Sequence, residues 1–515
     1  MSRISSPPYV MAIDGGTESV RVAVIDLEGR VVATAAQTYN TTFPRSGWAE
    51  QDPDEWWRAL VVATRACLAR AEVRPDDIAG IGLDATTCTL VALRADGRHL
   101  RPALLWMDVR AAQQANRVFA TGDPALRYTL AGCNAEWMPS KTLWLAENEP
   151  EIFNQTAHLI EYVDWMAYRL TGRLTVSLNT ITQRWYYNSR DGGWPTSLFA
   201  ALGLPDVQRK IPAEILAPGE EAGHLSAEAA AVLGLPESVR VFQGGGDAFI
   251  GLLGLDVAGP GKLGLITGSS NVIGGFVTDE FHGAGLFGAF PDAVVPGLWL
   301  VEAGQASTGS ILAWFKRNFA ADLPPATAYT QLGREAAEIA PGAGGVVVLD
   351  YFQGNRTPHT DSEARGAVWG LSLHTSRAQI FRALMEGIAF GTNHILQILT
   401  GYGHSAHGIT ACGGATRSAV FMQIYADVCG VPLSVTEVAD APLLGDAILA
   451  ATGLGIYPSM PVAAQAMVKV AKTFVPDAHN HEAYQYYFEQ YKATYGQLRD
   501  LMHAMTRHEG SKHGN

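Results

Sequence analysis

Residues 242–254 read Phe-Gln-Gly-Gly-Gly-Asp-Ala-Phe-Ile-Gly-Leu-Leu-Gly, and the rest of the chain is organised around this stretch. An apolar strand is expected to end at Phe242, because the three glycines that follow allow a tight turn. Asp247 then stands at the start of a small helix, where a carboxylate is presented to whatever lies beyond the turn. We predict that Asp247 is a catalytic base, although a helix cap explains the stretch by itself nearly as well.

Length and composition predict a two-domain α/β protein. A chain of 515 residues is too long for one core, so two domains of roughly 250 residues each are expected. A cleft between two domains is the usual place for a ligand. Hydrophobic residues make up 48% of the chain and charged residues 17%, which is typical of a compact α/β enzyme and not of a disordered chain.

Charge and cysteine usage exclude several classes of protein. The net charge is −13 and no run of Lys or Arg stands out, which disfavours nucleic-acid binding. The five cysteines are scattered without paired spacing, which indicates reduced thiols in a cytoplasm and argues against a metal cluster. Residues 1–8 are short and polar, unlike a signal peptide, and no apolar run of about 18 residues occurs, so a cytoplasmic protein without a membrane segment is expected.

The N-terminal stretch predicts a meander of three antiparallel strands. Residues 9–13 form an apolar run, Asp14-Gly-Gly-Thr17 forms a tip, and alternating residues up to position 33 supply two returning strands. Backbone amides of such a tip, with the Thr17 hydroxyl, can hold phosphate oxygens, and Asp14 can hold a magnesium ion or its water. A plain hairpin explains this stretch equally well when it is taken alone.

Residues 263–277 repeat the same pattern. Leu263–Thr267 is an apolar strand, residues 268–271 form a tip of small residues, and Val272–Val277 is the returning strand. Two such hairpins suggest duplicated domains that face one another, with chance recurrence as the alternative. Because Thr267 stands where Asp14 stands in the first copy, we expect the first domain to handle the metal and the second hairpin to supply neutral donors.

Two polar groups follow predicted strands between the hairpins. The strand Ile78–Leu83 leads into Asp84-Ala-Thr-Thr-Cys-Thr89, at the kind of position where α/β proteins place ligand contacts. Thr and Cys are also ordinary strand residues, so this stretch alone decides nothing. Asp108 and Arg110 end another apolar run, either as a substrate contact or as a helix cap with its ion partner, and the residues by themselves favour the ion pair.

Several later stretches predict helices or glycine turns. Helical periodicity marks residues 53–71, 381–399 and 483–505, and the charged tail after the last of these is expected to be disordered. Gly309, at the start of another apolar helix, permits the close approach of a flat or phosphorylated ligand. Residues 409–418 read as strand, glycine turn and helix start, where the glycines leave room for an adenine ring and Ser418 can bond to it, although most such turns only connect elements.

Six motifs, taken in order, resemble the carbohydrate kinases named for their Phe-Gly-Gly-Tyr motif, of the same superfamily as the Hsp70, actin and hexokinase ATPases. Agreement on one motif arises easily by chance, but agreement on six in sequence does not. The motifs are Asp14-Gly-Gly-Thr17, Gly246-Asp247, Gly268-Ser-Ser270, Tyr351-Phe-Gln-Gly-Asn-Arg-Thr-Pro358, Glu386-Gly-Ile-Ala-Phe-Gly391, and Gly413-Gly-Ala415 with Gln423-Ile-Tyr-Ala-Asp427.

The resemblance implies an α/β fold with two RNase H-like domains around an ATP cleft. Residues 1–254 would form the sugar-binding side, residues 255–480 the nucleotide-binding side, and residues 481–515 a terminal helix and tail. It implies ATP and Mg²⁺ as cofactors, a metal at Asp14, and Asp247 as the base toward a sugar hydroxyl. Nucleotide contacts carried over by position are Gly16, Thr17, Arg21, Ser269, Gly309, Gly413, Gly414 and Ser418.

On the substrate side the sequence looks like the ribulokinase branches of this family. Thr87 and Cys88 stand where glycerol kinases have Arg-Glu and xylulokinases typically have Met-His, so both of those signatures are absent. Ala248 agrees, since ribulokinases tend to have Ala after the catalytic Asp. We expect the sugar to contact Thr87, Cys88, Asp108, Trp137 and Asp247.

The resulting hypothesis is ATP-dependent phosphorylation of a ketopentose or related polyol, with D-ribulose favoured and xylulose, ribitol and erythritol as alternatives. An ATP-gated binding or chaperone-like protein is disfavoured because no separate substrate-binding domain is evident. A catalytically silent sugar sensor is disfavoured because no helix-turn-helix or basic segment occurs. The expected partner is a small sugar or polyol, with neither nucleic acid nor membrane, and a homodimer is compatible with the family.

Overall fold

A computed structural model describes residues 8–128, 132–283 and 285–512 of the chain. The strands of this part are β1 (Tyr9–Gly15), β2 (Ser19–Ile25), β3 (Val31–Thr38), β4 (Glu50–Gln51), β5 (Ile78–Ala85), β6 (Leu90–Leu93), β7 (Ala103–Leu104), β8 (His158–Glu161), β9 (Val176–Ser177), β10 (Ile215–Leu216), β11 (Glu221–His224), β12 (Arg240–Phe242), β13 (Lys262–Thr267), β14 (Asn271–Val277), β15 (Phe287–Pro291), β16 (Trp299–Gln305), β17 (Val347–Leu349), β18 (Ala367–Trp369), β19 (Gly408–Gly413), β20 (Leu433–Thr436) and β21 (Val470–Phe474).

The α-helices of the same part are α1 (Pro53–Ala71), α2 (Ala112–Ala120), α3 (Met138–Asn148), α4 (Pro150–Gln155), α5 (Tyr162–Thr171), α6 (Leu178–Arg184), α7 (Thr196–Ala201), α8 (Ala227–Leu233), α9 (Asp247–Gly254), α10 (Gly309–Phe319), α11 (Ala328–Ala337), α12 (Arg377–Gly401), α13 (Ala419–Cys429), α14 (Ala441–Gly453), α15 (Met460–Met467) and α16 (Ala478–Lys512). Among these helices, none is both long and apolar enough to cross a bilayer.

Two large sheets share one topology. The first has the strand order β11-β12-β5-β1-β2-β3, in which β1, β2 and β3 are antiparallel neighbours and β1, β5 and β12 run parallel. The second has the order β15-β16-β14-β13-β19-β20-β21, in which β13, β14 and β16 are antiparallel and β13, β19 and β20 run parallel. The predicted duplication of an α/β domain is therefore confirmed, and each predicted hairpin begins its sheet.

The two halves meet where helices α9 and α14 cross. Helix α9 follows the last parallel strand of the first sheet, whereas α14 follows β20 of the second sheet but packs on β1 and β5 of the first. The backbones touch at the crossing: a Cβ atom on Gly254 would lie 2.0 Å from the carbonyl oxygen of Ala441, and one on Gly445 would lie 2.2 Å from that of Ile250. Only glycine leaves room for this contact. Apolar side chains of both helices form a shared core cluster around it.

The predicted helices form where periodicity indicated. Helix α1 has the predicted bounds and begins with a proline in its first turn, after Asp52 accepts a hydrogen bond from the Asp54 amide. Helix α12 extends the predicted apolar stripe by a few residues at each end, with a capping box at Ser376 and Gln379.

The prediction of a disordered tail after residue 505 is wrong as far as residue 512, because α16 continues to Lys512. The Arg507 guanidinium pairs with Glu363, and the Thr506 hydroxyl donates to the Glu363 carbonyl, so tertiary contacts hold this turn in the helix. The predicted tail residues 513–515 and most of the predicted polar N-terminus, residues 1–7, lie outside the described part.

Candidate active site

Asp247 is the first residue of α9, as the glycine run predicted. Its side chain is partly accessible, and its Oδ1 accepts a hydrogen bond from the Ala248 amide at 2.7 Å. Asn179 fixes the turn before it by accepting a hydrogen bond from the Gly246 amide at 2.9 Å. Burial, followed by the negative charge of Asp14, raises the pKa of Asp247 to about 7. A carboxylate with such a pKa is suited to take a proton near neutral pH.

The first hairpin lies beside this base. The tip between β1 and β2 is closed by a hydrogen bond from the Gly16 amide to the Ser19 carbonyl, and the Thr17 hydroxyl accepts one from the Trp106 indole at 3.0 Å. Asp14 and Arg21 are register partners in β1 and β2, and the Arg21 guanidinium pairs with Asp14 and with Asp440. A hydroxyl and a guanidinium thus lie at this tip, and both are groups that can bind phosphate oxygens.

The residues around Asp14 fit a magnesium ion. Asp14 is fully buried, and burial raises the pKa of its carboxyl group although the Arg21 guanidinium lowers it. Asp84 lies beside it, because the two residues are register partners in the parallel strands β1 and β5. Magnesium prefers oxygen ligands and is usually held by one or two carboxylates together with substrate phosphates. These carboxylates therefore offer the donor set that such an ion requires.

The predicted nucleotide contacts of the second half lie together around the tip between β13 and β14. The carbonyl of Ser269 accepts hydrogen bonds from the Thr308 and Ser310 amides, at 2.8 and 3.2 Å. Gly309 begins α10 against this tip, since a Cβ atom there would lie 2.3 Å from the carbonyl oxygen of Gly268. The close contact fixes the helix N-terminus, with its amides, behind the tip.

The glycine turn predicted for the nucleotide lies next to the same hairpin. Gly413 is the register partner of Thr267 in the neighbouring strand, and Gly414 is exposed with nothing within 4 Å of a Cβ atom built on it. Ser418, which was predicted to meet adenine, uses its hydroxyl oxygen to accept a hydrogen bond from the Phe421 amide, and so caps α13. Its half-buried position leaves it reachable from the turn.

Thr87 and Cys88 lie in the loop that packs on the glycine run before Asp247. A Cβ atom on Gly246 would lie 2.1 Å from the Thr87 methyl group, so the loop and the turn are in direct contact. The Cys88 amide donates to Glu161 at 2.6 Å, and the buried ammonium group of Lys141 donates to the Cys88 carbonyl. Burial raises the pKa of the Cys88 thiol to about 12, so it is a neutral group at this position.

Trp137 is buried on the same side and forms part of an aromatic and charged group that the sequence did not predict. The guanidinium of Arg184 lies 5.5 Å from the centre of the Trp137 ring and 5.5 Å from that of Phe249, two residues beyond the base. Arg184 also forms a buried ion pair with Glu302 of β16 at 3.0 Å. Burial lowers the pKa of Arg184, but the negative charges of Glu302 and its other acidic neighbours, together with the hydrogen bond to Glu302, raise it above its usual range, so the guanidinium stays protonated.

Asp108 is not brought to this group. Its buried carboxylate accepts hydrogen bonds from the Arg110 guanidinium at 2.7 Å and from the Ala49 amide at 2.7 Å, and Arg110 also pairs with Glu50. This geometry corresponds to the ion-pair alternative for Asp108. The nearby Trp106, half-exposed and bonded to Thr17, is the residue of this run that reaches the first hairpin.

Five residues near the predicted site residues were not themselves predicted, namely Trp106, Arg184, Glu302, Asp440 and Asp446. For most of them no local pattern could have indicated the role, since each is brought in by tertiary structure. Asp446 is the exception, because Gly445-Asp446-Ala447 repeats the Gly-Asp-Ala of residues 246–248.

Comparison with known proteins agrees with the duplicated topology of the two sheets. The family model described as the FGGY family of carbohydrate kinases, N-terminal domain, matches residues 9–254, and that of the C-terminal domain matches residues 263–454. The chain is 33% identical to the FGGY carbohydrate kinase domain-containing protein of Xenopus laevis, over 94% of this chain and 95% of that protein.

Two further similar proteins are kinases named for different sugars. The chain is 33% identical to a ribulokinase of Mycolicibacterium smegmatis, over 95% of this chain and 94% of that protein. It superposes on the crystal structure of a xylulose kinase from Rhodospirillum rubrum with a TM-score of 0.87 and 28% identity, covering 96% of this chain and all of that one. The fold and the family matches define a two-domain sugar kinase. The chain belongs to the FGGY family of carbohydrate kinases.

Proposed function

We propose that this kinase transfers the γ-phosphoryl group of ATP to the terminal hydroxyl of a ketopentose, with D-ribulose as the favoured substrate. The observation that carries the proposal is Asp247, a partly accessible carboxylate with a pKa raised to about 7 at the N-terminus of α9. The first hairpin lies beside this carboxylate, and the loop of Thr87 and Cys88 packs on the turn that precedes it.

In the proposed reaction Asp247 orients the sugar hydroxyl and accepts its proton. As the proton moves, the hydroxyl oxygen bonds to the γ-phosphorus, and the bond from that phosphorus to the bridging oxygen breaks, releasing ADP. Amides of the two tips, the Thr17 hydroxyl and the Arg21 guanidinium would hold phosphate oxygens. Asp14 would hold Mg²⁺, and a divalent cation, when bound, neutralises charge that develops on the phosphates.

Sugar recognition is proposed to involve both halves of the chain. Residues 1–254 would supply Thr87, Cys88, Trp137 and Arg184, while residues 255–480, the proposed nucleotide-binding side, would also supply Glu302. Among the described residues the Nε of Arg184 has no hydrogen-bond acceptor, and because the atom is buried, a substrate oxygen would reach it only after neighbouring side chains move. A donor beside a carboxylate suits a chain of hydroxyl and carbonyl groups.

The choice of D-ribulose is supported by three observations. Thr87 and Cys88 replace the pairs typical of glycerol kinases and xylulokinases, and Ala248 follows the base as in ribulokinases. A ribulokinase is also among the relatives with 33% identity, although a xylulose kinase is a close structural neighbour. Xylulose, ribitol and erythritol are therefore the competing substrates.

The test is a coupled assay of ADP release with D-ribulose, D-xylulose, ribitol, erythritol and glycerol. We expect the highest kcat/KM with D-ribulose and a product phosphorylated at the terminal carbon, identified by phosphorus and carbon NMR. The variant Asp247→Asn is assayed in parallel, and a loss of ADP release in this variant would show that the ADP comes from this site. A higher kcat/KM for erythritol or glycerol than for either ketopentose would overturn the proposed substrate class.

A further inference from the structure

The second Gly-Asp-Ala sequence of the chain, residues 445–447, contains Asp446, a carboxylate near the metal site proposed at Asp14. Asp446 lies on α14, the helix that leaves the second sheet and packs on the first. Unlike Asp247, which is partly accessible, Asp446 is fully buried. A charged side chain in such a position needs a specific partner.

The strands beneath α14 fix which side chains Asp446 meets. Asp14 and Asp84 are register partners in adjacent parallel strands, so their carboxyl groups lie side by side on one face of the sheet. Gly82, two residues before Asp84, is on the same face. A Cβ atom on Gly82 would lie 1.9 Å from the carbonyl oxygen of Asp446, so α14 lies directly on this face.

The carboxylates of Asp84 and Asp446 lack ordinary partners. Both residues are fully buried, and among the described residues neither carboxylate has a well-aligned hydrogen-bond donor, although the Ile13 amide lies near Asp446 and the carboxyl groups of Asp84 and Asp14 are close enough to share a proton. The pairing of Asp14 with Asp84 across the two strands, and the backbone contact of Asp446 with Gly82, bring the three residues together on this face of the sheet.

The positive charge next to these groups is insufficient to balance them. Within the described part of the chain, the guanidinium of Arg21 interacts with all three carboxylates, but it already pairs with Asp14 and with Asp440 outside the cluster. Buried carboxylates in excess over cations are costly unless an ion or protons are added. Free carboxylate oxygens that face each other are the ligands that a small divalent cation prefers.

We propose that Asp84 and Asp446 extend the metal site of Asp14, so that α14 is held on the N-terminal sheet when the site is loaded with a divalent cation. The inference rests on the proposed role of Asp14 in the kinase reaction and adds residues from a second strand and from the C-terminal half. It gives the cation a place on the protein before any nucleotide binds.

The test uses Mn²⁺ as a spectroscopic probe of the full-length protein without ATP or sugar. Free Mn²⁺ is measured by EPR during titration, and Mg²⁺ is added as competitor. We expect one Mn²⁺ site in the wild type, displaced by Mg²⁺ and weakened about tenfold or more by Asp84→Asn and by Asp446→Asn. The matched control Asp164→Asn removes a buried carboxylate that already accepts hydrogen bonds from Ser177 and Gln243, and it should leave the affinity unchanged.

Thermal unfolding gives a second readout. Mg²⁺ should raise the Tm of the wild type and of Asp164→Asn, whereas the increment should be lost in Asp446→Asn. If Asp446→Asn does not fold, Asp84→Asn tests the same site from the strand side. Mn²⁺ binding that is equally tight in both variants and the wild type would overturn the inference, and so would a wild type that binds no Mn²⁺ without nucleotide.

Failure of this inference is distinguishable from failure of the proposed function. Phosphorylation of a ketopentose by the wild type, together with unchanged Mn²⁺ affinity in the variants, would reject the extended metal site alone. Weakened Mn²⁺ binding in the variants, together with no activity on any ketopentose, would reject the proposed substrate and leave the extended site standing.

Discussion

Replacing Asp247 by Asn tests the proposed base with little change in shape. The side chains have the same size, and the Oδ1 of Asn can still accept the hydrogen bond that the Ala248 amide donates at 2.7 Å. What is lost is the ability to take a proton. Positioned bases contribute about 10²–10⁴-fold in rate, so kcat should fall by at least about a hundredfold. At 1.36 kcal/mol for each factor of ten, this corresponds to a barrier raised by about 2.7 kcal/mol or more.

The same substitution should leave binding intact. Removing a negative charge near Asp14 relieves a repulsion that raises the pKa of Asp247, so neither the fold nor phosphate binding should suffer. Turnover is measured by coupled ADP release and sugar affinity by calorimetry. The control Asp256→Asn makes the same exchange just beyond the other end of α9, where the carboxylate pairs with the exposed Lys262, and should keep full activity. A kcat for Asp247→Asn within about tenfold of the wild type, with the fold intact, would refute the assigned role.

Three further outcomes follow from the geometry. Burial and a nearby carboxylate raise the pKa of Asp247 to about 7, and the base acts in its charged form. The value of kcat/KM should therefore stay constant above that pH and fall about tenfold per pH unit below it. A flat profile of kcat/KM between about pH 5.5 and 8 would contradict this. Gly309→Ala should raise the KM for ATP several-fold, because its Cβ would strike the tip of the second hairpin at 2.3 Å, whereas Gly401→Ala, in open space, should leave KM unchanged. Arg184→Met should lower the free energy of unfolding in urea by about 3–5 kcal/mol, since Glu302 is left buried without its partner, and adding Glu302→Gln should recover part of the loss; additive losses would argue against the pairing.

The elements set by local sequence were predictable. The hairpins that begin the two sheets follow from glycine tips between alternating or apolar runs, and helix α1 follows from its proline start and 3.6-residue period. These features need only neighbours in the chain. For the same reason the position of Asp247 at the start of α9 could be predicted, because the glycine turn and the helix are contiguous with it.

The rest of the site depends on residues far apart in the chain. Arg184 and Glu302 are separated by 118 residues, and neither lies in a sequence pattern that predicts an ion pair. The end of α16 was placed too early because its charged residues resemble a solvated tail, whereas Arg507 is in fact held by Glu363. Asp108 shows the converse, since the ion pair with its neighbour Arg110 could be predicted from the residues of that run, whereas its contact with the substrate stays a prediction.

The crossing of α9 and α14 limits how this kinase can be recombined with its relatives. A chimera joined after Gly254 would take α9 from one parent and α14 from the other, yet α14 lies on the sheet of the first half. The backbone contacts of Gly254 with Ala441 and of Gly445 with Ile250 would then have to match between parents, with no side chain to absorb a misfit. The two halves are duplicated in topology, but they are not interchangeable modules. A chimera designed to exchange substrate specificity should therefore take α14 from the same parent as the N-terminal half.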